Sequence, residues 1–328
     1  MSFKKRAIFI VFGVVLSVMT LPWIQAWAQE DYPNRPIEVI VPFTPGGPLD
    51  LSVRYFTDKW PEFLKQPVVV VNKGGASGAL GEKFVANSKP DGYTLAATAD
   101  SPLIVARLER KDAGYDLDSL HMLFLHSKIT TFFSVKGDAR WKTMKEFIAE
   151  AKANPGKLKY ATWGPASASN MAMEMFMESA GIKLTFIPFK SSPDSLAAVA
   201  GGNADMSVTF ALSGMGKSGI VRVLAISDDE RLPDYPDVPT LKELGCPIAY
   251  KTQYNGLAAP AKTPEKVVAK FIEAHKKVLA KYEKDLNDKF PKMELYPVYI
   301  DGNPMMQYLK EREKMYKDFF IKIGFKPE

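Results

Sequence analysis

The sequence predicts an α/β protein of two lobes, each a mostly parallel sheet flanked by helices. Three observations carry this. Strand and helix signals alternate from Ile37 onward, with Gly-rich turns between them, the signature of parallel βα units. The same rhythm restarts after an extended apolar stretch from His121 to Val135, which reads as a crossing between lobes. The chain of 328 residues is also too long for one small core and points to two domains.

Taken in order, Ile37 to Phe43 is a buried-strand run, and Thr44-Pro45-Gly46-Gly47-Pro48 turns it into a helix near Asp50. Val68 to Val71 is a β-branched strand, followed by Asn72-Lys73-Gly74-Gly75 and a helix over about Gly78 to Asn87. Thr94 to Thr98 is a third strand. Beyond the crossing, Trp141 to Asn154 is a helix with apolar Met144, Phe147, Ile148 and Ala151, stopped by Pro155-Gly156. Leu158 to Thr162 is a strand, Trp163 to Ser169 a loop and Asn170 to Ala180 a Met-rich helix. Strands at Leu184 to Phe189, Met206 to Phe210 and Val221 to Ser227 follow, with a short helix at Ser195 to Ala200 between the first two. Tyr254 to Ala259 returns to the first lobe. Two amphipathic helices close the chain, Pro264 to about Lys281 and Pro304 to about Ile323. Lobe 1 is expected over 29–125 and 255–328, lobe 2 over 126–254.

The first 28 residues read as a secretory leader. Lys4, Lys5 and Arg6 form a basic start, Ile8 to Val18 is almost wholly apolar, and Ala26-Trp27-Ala28 fits a cleavage site. Thr20, Pro22 and Gln25 interrupt the run too soon for a membrane span. No cysteine follows the apolar stretch, which excludes a lipid anchor there. Removal of the leader takes three positive charges and lowers the formal charge from +6 to +3. That near balance does not suggest a phosphate-backbone binder, which clusters Lys and Arg. Cys246 is the only cysteine, so no intrachain disulfide and no multi-cysteine zinc site forms. Met171, Met173, Met175 and Met177 alternate on a helix, which scatters them around its axis, so they read as core rather than metal ligands.

In an open α/β sheet the ligand sits past the carboxyl ends of the strands. Three loops fall there: Pro42 to Asp50, Ala97 to Ser101, and Thr162 to Asn170. The first brings glycines and a helix N-terminus, and the third brings small hydroxyl residues just before a helix. Two such loops on opposite lobes form facing anion sites. A dicarboxylate, or an acid with a polar far end, suits them. Each loop alone is also readable as a capped turn.

Competing motifs fail. Gly216-Lys217-Ser218 resembles a nucleotide loop, but Ala211 stands where its first glycine belongs and the strand at Val221 leaves no room for the helix. Ala76, Gly78 and Gly81 lack the first glycine of a dinucleotide fingerprint. The only imidazoles are His121, His126 and His275, none in a site loop, and Ser101 and Ser167 have no evident base. No catalytic residue, metal site or cofactor is therefore expected. Asp50, Asp100 and Asp205 read as caps or loop ties.

The segments PFTPGGPLD, QPVVVVNKGGASGALG, KPDGYTL, ANPGKLKYATWG, GGNADM, LPDYPDVPTLKELG and APAKTPEKVV occur in that order. With them the chain resembles the periplasmic solute receptors of tripartite tricarboxylate transporters, the Bug family, over essentially its whole length after the leader. The resemblance implies a two-lobed Venus-flytrap fold with two crossover segments that closes on a carboxylate. It implies a first wall of Phe43, Thr44, Gly46, Gly47 and Asp50, continued by Thr98, Asp100 and Ser101. The facing wall is Trp163, Ala166, Ser167, Ala168 and Asn170, with Lys190 and Phe210 nearby. It also implies hand-over to a large and a small membrane transporter subunit, or use as a sensor input. A monomer in the periplasm of a Gram-negative cell is expected, with no nucleic acid partner.

The sequence departs from the family pattern where Pro48 and Leu49 replace a glycine and a threonine, and where Trp163 replaces a small residue. Pro48 offers no N–H. With Phe43 and Phe210, these changes predict a more apolar pocket and an aromatic or otherwise apolar acid over citrate. The alternative is that Leu49 and Trp163 only pack under the loops. Lys190 is readable equally as an anion contact or a loop tie. Three functions compete: a transport receptor, a sensor without transport that uses the same pocket, and an enzyme, which lacks a visible base.

Overall fold

The computed structural model describes residues 32–110, 113–164, 167–248, 252–322 and 324. Its strands are β1 (Ile37–Val41), β2 (Val68–Asn72), β3 (Thr94–Ala99), β4 (Leu120–Ile129), β5 (Thr131–Lys136), β6 (Lys159–Thr162), β7 (Thr185–Pro188), β8 (Met206–Thr209), β9 (Val221–Ser227), β10 (Gln253–Pro260) and β11 (Tyr296–Asp301). They form a six-stranded sheet, β11-β4-β10-β3-β1-β2, and a five-stranded sheet, β7-β6-β8-β5-β9. The main helices are α1 (Pro48–Thr57), α2 (Trp60–Leu64), α3 (Ala79–Ala86), α4 (Met144–Ala153), α5 (Ala168–Ala180), α6 (Ser192–Ala200), α7 (Glu265–Lys292) and α8 (Gly302–Lys322).

The two-lobed α/β architecture matches the expectation. Both sheets are mixed. Parallel pairing joins β1 to β2 and β3, and β6 to β7 and β8. The other pairs are antiparallel. The reason is the connection between lobes: β4 runs into β5 across Thr130 alone, and β9 leads back to β10 through 228–252. A chain that passes straight from sheet to sheet does not make the helical return that parallel neighbours require. The apolar run from His121 to Val135 is this crossing. The expected lobe limits at 125/126 and 254/255 fall within β4 and β10.

Packing explains the elements. In lobe 1, Phe56, Trp60, Phe124 and Phe271 are fully buried. Trp60 lies 5.8 Å from the Phe271 ring, edge to face. In lobe 2, Met173 and Phe176 are fully buried, Met171 and Met175 nearly so, and Phe176 meets Phe133 at 5.2 Å. The methionines of α5 are core, as their spacing predicts.

Two elements differ from the sequence reading. The helix expected to stop near Lys281 continues to Lys292, with non-helical dihedrals at Tyr282. Past that point Leu286 and Phe290 are buried, an i,i+4 pair that the surrounding charges obscure. β11 was not expected at all. It contains Pro297 and is only half-buried, which hides its alternation. Its edge position against β4 tolerates the proline.

The lobes are also tied at Glu294, just past α7. Its carboxylate accepts the N–H groups of Leu212 and of Ser213 (3.3 Å) from lobe 2. The expected leader lies outside the described residues. Among the described residues no helix is long and apolar enough to cross a membrane.

Candidate site between the two lobes

The loop after β1 is held from behind. Asp50, in the first turn of α1, is 2% exposed. Its Oδ2 accepts Gly46 N–H and Arg54 Nε, each at 2.9 Å, and its Oδ1 accepts Asn72 Nδ2 at 2.8 Å. Asn72 Nδ2 also lies 3.0 Å from the Phe43 carbonyl, within reach because Asn72 stands beside Val41 in the β1–β2 register. Burial alone raises the Asp50 carboxyl. The hydrogen bonds from Arg54, Gly46 and Asn72, with the Arg54 charge, outweigh it and hold the group below its ordinary range. Gly46 adopts a φ of +88° with open space around it, a conformation that favours glycine.

Gly47 caps α1 without a side-chain bond, and Pro48 is the first helical residue. Leu51 N–H is bonded back to Gly47 O. The Leu49 and Asp50 N–H groups precede it in the first turn, where donors lack helical acceptors. Leu49 itself is 5% exposed and belongs to the lobe 1 core. Thr44 is exposed at the loop tip.

The facing loop lies past β6. Ser167 caps α5, its Oγ accepting the Asn170 N–H at 3.1 Å and lying 3.0 Å from Ser169 Oγ. Ala168 and Asn170 are buried, and Asn170 Oδ1 lies 3.0 Å from the Tyr160 hydroxyl. Ala166 lies outside the described residues. Across the gap, the half-buried Phe43 and Trp163 rings meet edge to face, with centroids 6.1 Å apart at 88°. This contact brings the two expected loops together.

The remaining expected residues lie at different depths. Thr98 and Asp100 are fully buried and Ser101 is 2% exposed. Asp100 is paired with Arg312 Nε at 2.6 Å, and the Tyr308 hydroxyl lies 3.3 Å away. Burial raises the Asp100 carboxyl despite the guanidinium beside it. Phe210 is 7% exposed after β8. Lys190 is exposed after β7, an edge strand.

Sequence reasoning missed the support of these loops. Arg54 and Asn72 fix the Phe43 loop, and the i,i+4 spacing of Asp50 and Arg54 was the available signal. Gly78 was weighed only as part of a failed fingerprint. A Cβ there would stand 2.7 Å from Pro102 Cβ and 3.3 Å from the Phe43 ring. Its absence lets Phe43 seat against the loop after β2.

Two loops at strand carboxyl ends, each leading into a helix and brought together by the Phe43–Trp163 contact, fit the frame of a two-lobed solute-binding protein. The sequence profile of the tripartite tricarboxylate transporter family receptor matches residues 53–325. A Cupriavidus necator protein described as a UPF0065 protein in the gbd 5′ region is 33% identical over 311 residues, 94% of each chain. A solved structure of a periplasmic transporter superposes with a TM-score of 0.82 at 30% identity, over 90% of this chain and 100% of the other. MatC from Rhodopseudomonas palustris, with bound malate, gives a TM-score of 0.76 at 25% identity, over 88% of this chain and 99% of the other. The chain belongs to the tripartite tricarboxylate transporter receptor family.

Proposed function

We propose that this receptor is exported by cleavage after Ala28, captures a small organic carboxylate between its lobes and delivers it to a large and a small membrane transporter subunit. The observation that carries the reading is the meeting of Phe43 and Trp163 at 6.1 Å between two helix-leading loops. First-turn N–H groups of α1 and α5, the helices that these loops lead into, suit carboxylate oxygens. Several aligned N–H groups offset the desolvation of the anion. Malate in MatC is a dicarboxylate of this size class.

The ligand body is apolar or aromatic rather than citrate-like. Phe43, Trp163 and the buried Phe210 support this, because an apolar wall selects the body while a few polar groups orient it. Leu49 packs in the core and is assigned no ligand contact. The protein binds and does not catalyse. His126 and His275 are buried against Phe56 and Phe124 and are placed to serve the core.

A competition series on residues 29–328, with malate, adipate, benzoate, phthalate and citrate, tests the reading. The expected order places an aromatic or alkyl acid ahead of citrate. Citrate binding tighter than every other acid would discard the apolar pocket and keep the receptor.

A further inference from the structure

We propose that Asp228 is the fastener of the hinge: it holds the two connecting segments in the closed spacing and so sets ligand affinity without touching the ligand. Asp228 directly follows β9, so lobe 2 fixes its backbone. Its Oδ2 accepts the hydroxyl of Thr130 at 2.6 Å and Lys128 Nζ at 3.3 Å. Its Oδ1 accepts the hydroxyl of Thr252 at 2.9 Å. Thr130 is the single residue between β4 and β5, and Thr252 immediately precedes β10. One carboxylate, 7% exposed, thus joins the outgoing connector, the returning connector and the end of β9.

Bending between the lobes moves these groups relative to each other. Lys128 and Gln253 belong to the lobe 1 sheet, whereas Ser227 and Thr131 pair in the lobe 2 sheet. The network also reaches the site wall. The Tyr308 hydroxyl has one proton and two acceptors, the Thr252 carbonyl at 3.2 Å and Asp100 Oδ2 at 3.3 Å. The return connector is thereby linked to the end of β3. The bonds are made together with the Phe43–Trp163 contact, so they belong to the spacing in which the lobes meet. A contact present in one state and absent in the other biases the equilibrium, and ligand affinity follows the population of the competent state.

The affinity part rests on the receptor reading above; the spacing part does not. The test places fluorophores on exposed positions in each lobe, through Lys89→Cys and Lys145→Cys in a Cys246→Ser background, and reads the interlobe distance with and without malate. Asp228→Asn is compared with Thr252→Val, a milder change that leaves the carboxylate in place. The expected result is a shift of the ligand-free distribution to longer distance in both variants. For the acid that binds the parent protein, affinity falls about tenfold, carried mostly by a faster off-rate. An unchanged ligand-free distance overturns the proposal, whether or not affinity or melting temperature falls. Failure of the parent protein to bind any carboxylate sinks the receptor reading alone, because the distance readout needs no ligand.

Discussion

Asp50 carries three hydrogen bonds that fix the backbone around Phe43. Asp50→Ala removes the acceptor of the Gly46 N–H and of Arg54 Nε and one of the two acceptors of Asn72 Nδ2. We expect a loss of about 1–3 kcal/mol in stability and at least tenfold in carboxylate affinity, read by urea melts and by titration. Unchanged affinity would remove the Phe43 loop from the site. His275 is a residue-scale case of another kind. It stacks on Phe124 at 3.9 Å, and among the described residues neither ring nitrogen has a hydrogen-bond partner. Burial holds it well below the ordinary imidazole value of 6.5, and the nearby His126 adds to this. Burial also pulls His126 down to about 3. A depressed imidazole pKa means that the folded state binds fewer protons than the unfolded chain. Stability is therefore full above pH 6.5 and falls as pH drops toward 3. Lowering the pH from 7.5 to 5.5 therefore costs stability at both imidazoles. His275→Phe should raise stability, and more at pH 5.5 than at pH 7.5. Equal gains at both values would contradict the account.

At the scale of elements, the loop after β2 acts as a seat for the loop after β1. Gly78→Val adds a side chain where Pro102 and Phe43 already stand, at a φ of +97°. Such overpacking costs about 1–3 kcal/mol. We expect a lower melting temperature and weaker carboxylate binding, because Phe43 must move. Binding that survives while stability falls would place the ligand away from Phe43. Elements with strong local chemistry were legible in the sequence. β-branched β2 and the Pro155-Gly156 stop after α4 read directly, whereas α5 begins at Ala168, two residues before the expected Asn170. β11 was not legible because Pro297 and half-burial mask a strand that only its neighbour β4 stabilises. The last third of α7 was hidden because Leu286 and Phe290 stand alone among charges. The loops of the site were legible from glycine content and position at strand ends. Their support by Arg54 and Asn72 was not, because Asn72 comes near only through the β1–β2 register.

At the scale of the whole molecule, two sheets joined by the single residue Thr130 and by the return through 228–252 make a hinge, and the strand ends make a cleft across it. The repeated strand–helix rhythm and the length predicted two lobes but not the mixed pairing, which follows from straight passage between sheets at Thr130. The central claim is that this cleft takes one small carboxylate. Calorimetric titration of residues 29–328 with malate and adipate, after refolding from denaturant to empty the site, tests it most directly, with Trp163→Ala measured alongside. The account predicts a stoichiometry of one for at least one of the two acids, with affinity reduced at least tenfold in Trp163→Ala. Binding that is indifferent to Trp163, or no heat with either acid from a correctly refolded protein, would contradict it.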